Sequence, residues 1–172
     1  MPRDLAQPLR LRRTFDLVVS LEVAEHLPQR SADAFVESLT SLGPVVLFSA
    51  AIPLQGGRGH VNEQWPHYWA HLFERRGYAA LDCVRRRVWE DDDVQWWYAQ
   101  NTILYVRCDR LESSAALKRE LDAAPATPPL SLVHPKKYVA LHRWWHEAYN
   151  ELQAASRLAG SNAHVAAEAA KT

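Results

Sequence analysis

The chain has 172 residues, 48% of them hydrophobic, and its 20 basic residues balance 20 acidic ones. This length predicts one domain with a sizeable core, and the balanced charge argues against nucleic acid or an anionic membrane surface as a partner. No secretory signal follows Met1, and the longest weakly polar run, residues 43–54, is too short to span a bilayer, so we expect a cytoplasmic protein with a small-molecule ligand.

The first predicted strand lies in the phrase F-D-L-V-V-S-L-E-V-A-E-H-L-P at residues 15–28. Its apolar run from Leu17 to Ser20 indicates a buried strand, and a polar turn and a helix follow directly. In parallel α/β sheets, ligands bind beyond the carboxyl ends of the strands. The polar residues after this strand are therefore candidates for a ligand site.

A helix, a strand and a second helix are predicted next. Residues 31–39 carry an apolar stripe, with Ser31 placed as an N-cap and Gly43 as a stop. The continuous apolar run of residues 44–51 has the composition of a parallel strand that is covered on both faces. After a glycine-rich loop, Asn62 is predicted to cap a helix that ends at Gly77.

Two further strands complete the predicted sheet. Residues 78–89 and 101–107 are rich in β-branched and aromatic residues, and the acidic turn of residues 90–93 separates them. Beyond them the pattern predicts a polar helix, a proline-rich linker, an amphipathic helix and a frayed tail. The predicted segments are 1–108 for the sheet domain, 109–130 for the helix and linker, 131–159 for the amphipathic helix and 160–172 for a disordered tail.

Several phrases, in the right order over residues 4–107, resemble class I S-adenosylmethionine-dependent methyltransferases. The F-D-x-V-x-x-x-E-V-x-E-H phrase resembles the family's fourth strand and turn, and residues 45–53 resemble its fifth strand. Residues 59–65 resemble its substrate-side loop, and residues 100–106 its last strand. The resemblance implies an α/β fold: a truncated Rossmann-like methyltransferase sheet with strands corresponding to 4-5-7-6, helices on both faces and a C-terminal helical extension.

The resemblance also implies a function and a set of site residues. It implies S-adenosylmethionine as the cofactor and methyl transfer to an oxygen or nitrogen of a small molecule. The implied catalytic residues, which would face the reacting centre, are His60 and His26. The implied cofactor-binding residues are Asp4, Ser20, Leu21 and Glu22, and the implied substrate residues are Asn62, Trp65 and Trp97.

The chain departs from the family pattern at its beginning. It has no G-x-G-x-G after an early strand and no acidic residue that ends a second strand, so we expect the family's first three strands to be absent. The strand Leu17–Ser20 would then be an exposed edge that favours self-association or a partner chain. Loss of half the cofactor cradle would impair methyl transfer, which depends on holding the reacting groups in line. The alternative is a catalytically impaired relative that acts as a binding or assembly subunit, although a misplaced start codon would leave the same gap.

Other interpretations of the candidate residues stay open. His26 could bond to backbone instead of acting as a base, and Glu22 could be a solvated carboxylate at the end of a strand. Glu25 is predicted to be a first-turn acid that complements a helix dipole. Gly56-Gly57-Arg58-Gly59 lacks the spacing of a phosphate-binding loop and is predicted to be a flexible substrate loop.

No metal site is expected from the histidine spacing. The pairs His67/His71 and His142/His146 are each four residues apart, but neither contains the glutamate of an H-E-x-x-H zinc motif. The cysteines, Cys83 and Cys108, do not form a close-spaced pair and are predicted to be reduced. The basic and aromatic residues 136–145 form too small a cluster to predict nucleic-acid binding.

Overall fold

The computed structural model describes residues 3–123 and 129–169, with side chains to residue 159. The chain divides into two compact units, residues 1–134 and residues 135–172. The second unit contains the long helix α7 (Pro135–Ala169). The first unit contains β1 (Val18–Leu21), α1 (Ala32–Leu42), β2 (Val45–Ser49), α2 (Pro66–Glu74), β3 (Tyr78–Leu81), α3 (Arg85–Val88), α4 (Trp96–Asn101), β4 (Ile103–Arg107), α5 (Cys108–Ser113) and α6 (Ala115–Asp122).

The four strands form one mixed sheet in the order β1-β2-β4-β3. β1 and β2 are parallel, with Val18 opposite Val46. β4 is antiparallel to both of its neighbours, with Phe48 of β2 opposite Ile103. The observed order corresponds to 4-5-7-6, so the predicted sheet is confirmed. Because β4 runs in the opposite direction to β2, it begins at the edge where β1 and β2 end.

Helices cover both faces of the sheet, as predicted. On one face, Phe48 and Tyr105 pack against α1 and α2, and the ring of Phe73 stacks on Tyr105 with centroids 3.8 Å apart. On the other face, Val106 packs with Leu111 of α5. This alternation follows from the two-residue period of the strands, which sends successive side chains to opposite faces.

Several predicted elements have different bounds in the structure, and the strand predicted over residues 101–107 begins at Ile103 because α4 includes Asn101. The second helix does not begin at Asn62, because residues 62–65 are not helical and α2 starts at Pro66, with Trp65 as its extended N-cap residue. Proline restricts the preceding residue to extended conformations and favours the first helical position. The predicted strand 78–89 ends at Leu81, and α3 follows within its second half.

The polar helix predicted over residues 111–123 is divided into α5 and α6. Ser114 lies between them in an extended conformation, and its side chain accepts a hydrogen bond from the Leu117 N–H, which caps α6. The predicted proline-rich linker falls mainly on residues 124–128, outside the described residues.

α7 includes the amphipathic helix predicted from the sequence and extends beyond Gly160, where the tail was predicted to start, to Ala169. Alanine has the highest intrinsic helix propensity, which accounts for this extension. The last residues of the predicted tail, 170–172, lie outside the described residues. None of the helices in residues 3–123 and 129–169 combines the length and apolar composition needed to cross a bilayer.

Arg85 joins the segment after β3 to two other parts of the first unit. Its side chain is only 1% exposed and forms an ion pair with Asp82. It also donates to the Leu130 carbonyl at 2.7 Å and to the Gln100 carbonyl at 3.3 Å. The guanidinium therefore connects α3, the end of α4 and the segment that leads to α7.

We expect Arg85→Met to lower the free energy of unfolding by about 3–5 kcal/mol, because it leaves the Asp82 carboxylate without its partner. Urea denaturation checks this. Arg86→Met is the matched control, since Arg86 is 38% exposed in its pair with Glu120 and its loss should cost less than about 1 kcal/mol. Equal effects of the two substitutions would contradict a structural role for Arg85.

Candidate functional site

A cleft of about 310 Å³ opens at the edge of the sheet where β1 and β2 end. The chain supplies its walls from the turn after β1, the glycine-rich loop after β2 and the helix α4, which leads into β4. This is the edge at which parallel α/β sheets bind ligands. The lining residues are Glu22, Glu25, His26, Gln55, Gly56, His60, Trp96, Trp97 and Tyr98.

Glu22 lines the cleft, and hydrogen bonds of its backbone and its side chain hold it in position. Its φ of +51° is in the left-handed region, which is uncommon for a residue other than glycine. The Glu22 N–H donates to the Ser49 carbonyl at 3.1 Å and to the Ser49 hydroxyl at 3.0 Å. The carboxylate accepts from the side-chain amides of Gln55 and Asn101, both at 3.1 Å.

A network of buried amides extends from Glu22 into the protein. The Gln100 side-chain amide donates to Gln55 at 3.2 Å and to Asn101 at 2.9 Å, and it accepts from the His134 N–H at 2.9 Å. Gln100 and Asn101 are 0% and 3% exposed. Because these buried amides are hydrogen-bonded to each other, the wall of the cleft is fixed in one arrangement.

Glu25 lies in the short 3-10 turn Ala24–His26 and is completely buried. Its carbonyl accepts from the N–H groups of Val61 and Asn62, at 2.9 and 3.1 Å, which attaches the turn to the loop after β2. No N–H or O–H donor among the described residues bonds to either carboxylate oxygen, and the side chain that approaches this carboxyl is that of Glu22. Burial raises the pKa of Glu25 to about 7, opposed by backbone hydrogen bonding and by His60, while the negative charge of Glu22 adds to the rise. Glu25 does lie in the first turn of a helical segment, as predicted, but this segment is a three-residue 3-10 turn and the side chain is buried.

The imidazole rings of His26 and His60 meet nearly at right angles, with centroids 4.9 Å apart. Nδ1 of His60 lies 2.9 Å from the Glu63 carboxylate, and Nδ1 of His26 lies 3.3 Å from the Gly59 carbonyl. Each oxygen can only accept, so both contacts favour the tautomer that carries its proton on Nδ1. Nε2 is then the nitrogen with the free lone pair in both rings.

The glycine-rich loop allows the His60 ring to take this position. Gly57 has a φ of +153°, and a Cβ on it would lie 2.3 Å from Nε2 of His60. A side chain at Gly57 would therefore collide with the ring. Glu63 anchors the same loop, since its carboxylate accepts from the N–H groups of Leu54 and Gly56 at 2.8 and 2.9 Å.

Glu25, His26 and His60 could hold a metal ion together. Each offers one ligand atom, and these atoms lie within 4.8 Å of one another. The sequence predicted no metal, and the histidine pairs that it singled out do not form such a group in the part of the chain that the structure describes. His67 instead contacts Ser131, with 3.0 Å between Nδ1 and the hydroxyl.

The structure brings four of the predicted site residues to the cleft, namely His26, His60, Glu22 and Trp97. Among the predicted cofactor residues, Asp4 is exposed, and its carboxylate accepts from the Ala6 N–H at 2.9 Å, away from the cleft lining. Ser20 is 5% exposed and lines a separate apolar cavity between β1 and α1. Leu21 is not part of the cleft lining.

The predicted substrate residues Asn62 and Trp65 do not line the cleft. Asn62 is 3% exposed and holds the loop, because its side-chain amide donates to the Ala24 carbonyl at 3.4 Å and accepts from Gln64 at 3.1 Å. Sequence reasoning missed Glu25, Gln55 and Asn101. The spacing of Glu22 and Glu25 in the E-x-x-E-H phrase was the available signal, since residues three apart in a turn lie near each other.

Comparison with known proteins found no matching family model and no matching curated protein. A similar solved structure is that of magnesium protoporphyrin IX methyltransferase from Synechocystis PCC 6803 with bound SAH. The identity is 20% and the TM-score 0.41, and the match covers 62% of this chain and 50% of that one. The chain thus spans about half the length of that enzyme, and the fold assignment rests on the strand order.

With a chelator present, we expect the free energy of unfolding to fall as the pH rises from about 4.5 to about 7. Between these pH values Glu25 is protonated in the folded chain but ionised in the unfolded chain. The free energy of unfolding therefore decreases as the pH rises. The raised pKa corresponds to a loss of at most about 3 kcal/mol over this interval. Denaturation of Glu25→Gln should lack this component, whereas the control Glu90→Gln, in an exposed turn, should retain it. Parallel pH profiles for the wild type and Glu25→Gln would contradict the assignment.

Proposed function

We propose that the chain forms part of an S-adenosylmethionine-dependent methyltransferase, namely the part that binds the methyl acceptor and one side of the cofactor. The enzyme moves a methyl group to an oxygen or nitrogen of a small molecule. The observation that carries the proposal is the strand order, with β4 antiparallel between β2 and β3, together with the cleft at the end of β1. The methyltransferase resemblance of residues 4–107 implies this order and this site.

Glu22 is the proposed cofactor contact. Glu22 lines the cleft, and its two amide partners fix the direction of its carboxylate. A carboxylate in this position can accept hydrogen bonds from ribose hydroxyls or attract the sulfonium charge of the cofactor. The proposal omits Asp4 and Ser20, because neither lines the cleft.

His60 is the proposed general base. Its Nδ1 faces Glu63, which orients the ring and stabilises the imidazolium that forms when Nε2 takes a proton. The acceptor oxygen or nitrogen loses this proton and attacks the methyl carbon, and the bond to sulfur breaks, which leaves S-adenosylhomocysteine. Trp96, Trp97 and Tyr98 form the opposite wall, and their rings suit an acceptor with an apolar or aromatic body.

Calorimetric titration with S-adenosylhomocysteine tests the cofactor part of this proposal. We expect binding in the micromolar range, and Glu22→Gln should weaken it at least about tenfold, because a charged acceptor becomes neutral. Glu90→Gln is the control and should not change the affinity. No binding by a chain that circular dichroism shows to be folded would refute the methyltransferase proposal.

The second candidate function is assembly, without catalysis. β1 is the edge strand of the sheet, and its outer side has no partner strand in the described part of the chain. Leu17 and Val19 are 50% and 56% exposed beside this edge. An edge strand with exposed apolar side chains favours pairing with another strand, and we propose the β1 of a second copy as its partner.

Sedimentation analysis tests this second candidate. We expect the wild type to form dimers. Val19→Lys should raise the dissociation constant of the dimer at least about tenfold, since a lysine on an edge strand opposes pairing. Val133→Lys is the matched control, because Val133 is an exposed valine outside the sheet. A wild type that stays monomeric at high concentration, or equal effects of the two lysines, would rule out dimerisation through β1.

A further inference from the structure

We propose that Glu25, His26 and His60 form a binding site for a divalent first-row transition-metal ion, with Zn²⁺ the best match. The site is a property of the cleft that methyl transfer does not require. Two imidazole nitrogens and one carboxylate oxygen are a common ligand set for zinc and for other ions of this class, whereas Mg²⁺ and Ca²⁺ prefer oxygen ligands.

The spacing of the three side chains fits a single ion. Their ligand atoms lie within 4.8 Å of one another. Two ligands of one zinc ion, each about 2.0–2.2 Å from it, can be at most roughly 4.3 Å apart. A side-chain movement of about half an ångström therefore brings all three into contact with one ion, which is within the range of an ordinary rotation of a Glu or His side chain.

The burial of Glu25 gives an independent reason for a cation. Glu25 is 0% exposed, no N–H or O–H donor among the described residues bonds to its carboxylate oxygens, and its side-chain neighbour is a second carboxyl group, Glu22. Buried carboxylates are nearly always paired with a cation or hydrogen-bonded, because an unpaired one costs several kcal/mol in desolvation. Among the described residues that line the cleft there is no lysine or arginine to serve as the partner. A metal ion would supply the missing positive charge.

Both histidines are oriented as metal ligands are. A ligating histidine usually donates its other N–H to a carboxylate or a backbone carbonyl, which fixes the ring and the tautomer. His60 has this contact with Glu63, and His26 has it with the Gly59 carbonyl. The lone pair of each Nε2 is then free for the ion.

The surroundings leave room for a further ligand. Three protein ligands leave the fourth position of a tetrahedral ion open, and catalytic zinc sites have this arrangement. The cleft of about 310 Å³ contains the three residues and is large enough for a water or for a hydroxyl group of a small molecule at the open position. Glu22 lies in the same cleft and could contact such a ligand.

Titration of the chelator-treated chain with ZnCl₂ in a calorimeter tests the proposal, with CoCl₂ and its visible absorption bands as a second readout. We expect one ion per chain with a dissociation constant in the micromolar range or below. Glu25→Gln and His60→Gln should each weaken binding by more than about 100-fold. Glu63→Gln should weaken it by about 10–100-fold, as expected for a residue that orients a ligand.

The controls separate this site from zinc bound to surface histidines. His146→Gln removes one member of the exposed pair His142/His146, whose rings lie 5.1 Å apart on α7, and should leave the affinity unchanged. The proposal is overturned if the folded wild type binds no zinc, or if Glu25→Gln binds it as tightly as the wild type. It is also overturned if His146→Gln abolishes binding. Because the readout is metal binding alone, a failure to bind S-adenosylhomocysteine would not affect the result.

Discussion

The hydrogen bonds that converge on Glu22 are the interaction on which the site depends. Gln55 comes from the loop after β2 and Asn101 from the end of α4, so the Glu22 carboxylate joins three segments that are far apart in sequence. Each buried amide in this network would cost about 1–3 kcal/mol if it lost its partner. The ends of the strands are therefore held in one arrangement. This fixes the position of Glu22, from which the chain continues into the turn with Glu25 and His26.

The burial of the Glu25 side chain lowers the stability of the fold. The carbonyl of Glu25 accepts two hydrogen bonds from the loop after β2, but no donor in the described part of the chain bonds to its side chain, and burial raises its pKa to about 7. Structural packing alone would favour an apolar residue in this position, which would remove the desolvation cost. A perturbed carboxyl group in a cleft, beside two histidines, is instead the usual sign of a functional site.

The sheet could be predicted because its strands are short apolar runs, such as residues 44–51, between clear turn signals, and because the resemblance supplied their order. The predicted ends of two elements were wrong. The second helix was predicted to start at Asn62, but Pro66 determines its start. The strand predicted over residues 78–89 ends at its last paired residue, Leu81, and arginines follow soon after it. Glu25 could not be predicted as buried, because its environment comes from residues 61 and 62, far along the chain.

His60 links the two proposals, because its Nε2 has a single lone pair. That lone pair can accept a proton from a methyl acceptor or bind a metal ion, but it cannot do both at once. With a metal ion in place, the ion itself would activate an acceptor hydroxyl by lowering its pKa, and Glu63 would stabilise the ligand instead of an imidazolium. Without the ion, the pair His60–Glu63 is the acid–base unit that we propose for methyl transfer. The two proposals therefore use the same nitrogen, and they differ in whether a metal ion occupies the position beside Glu25.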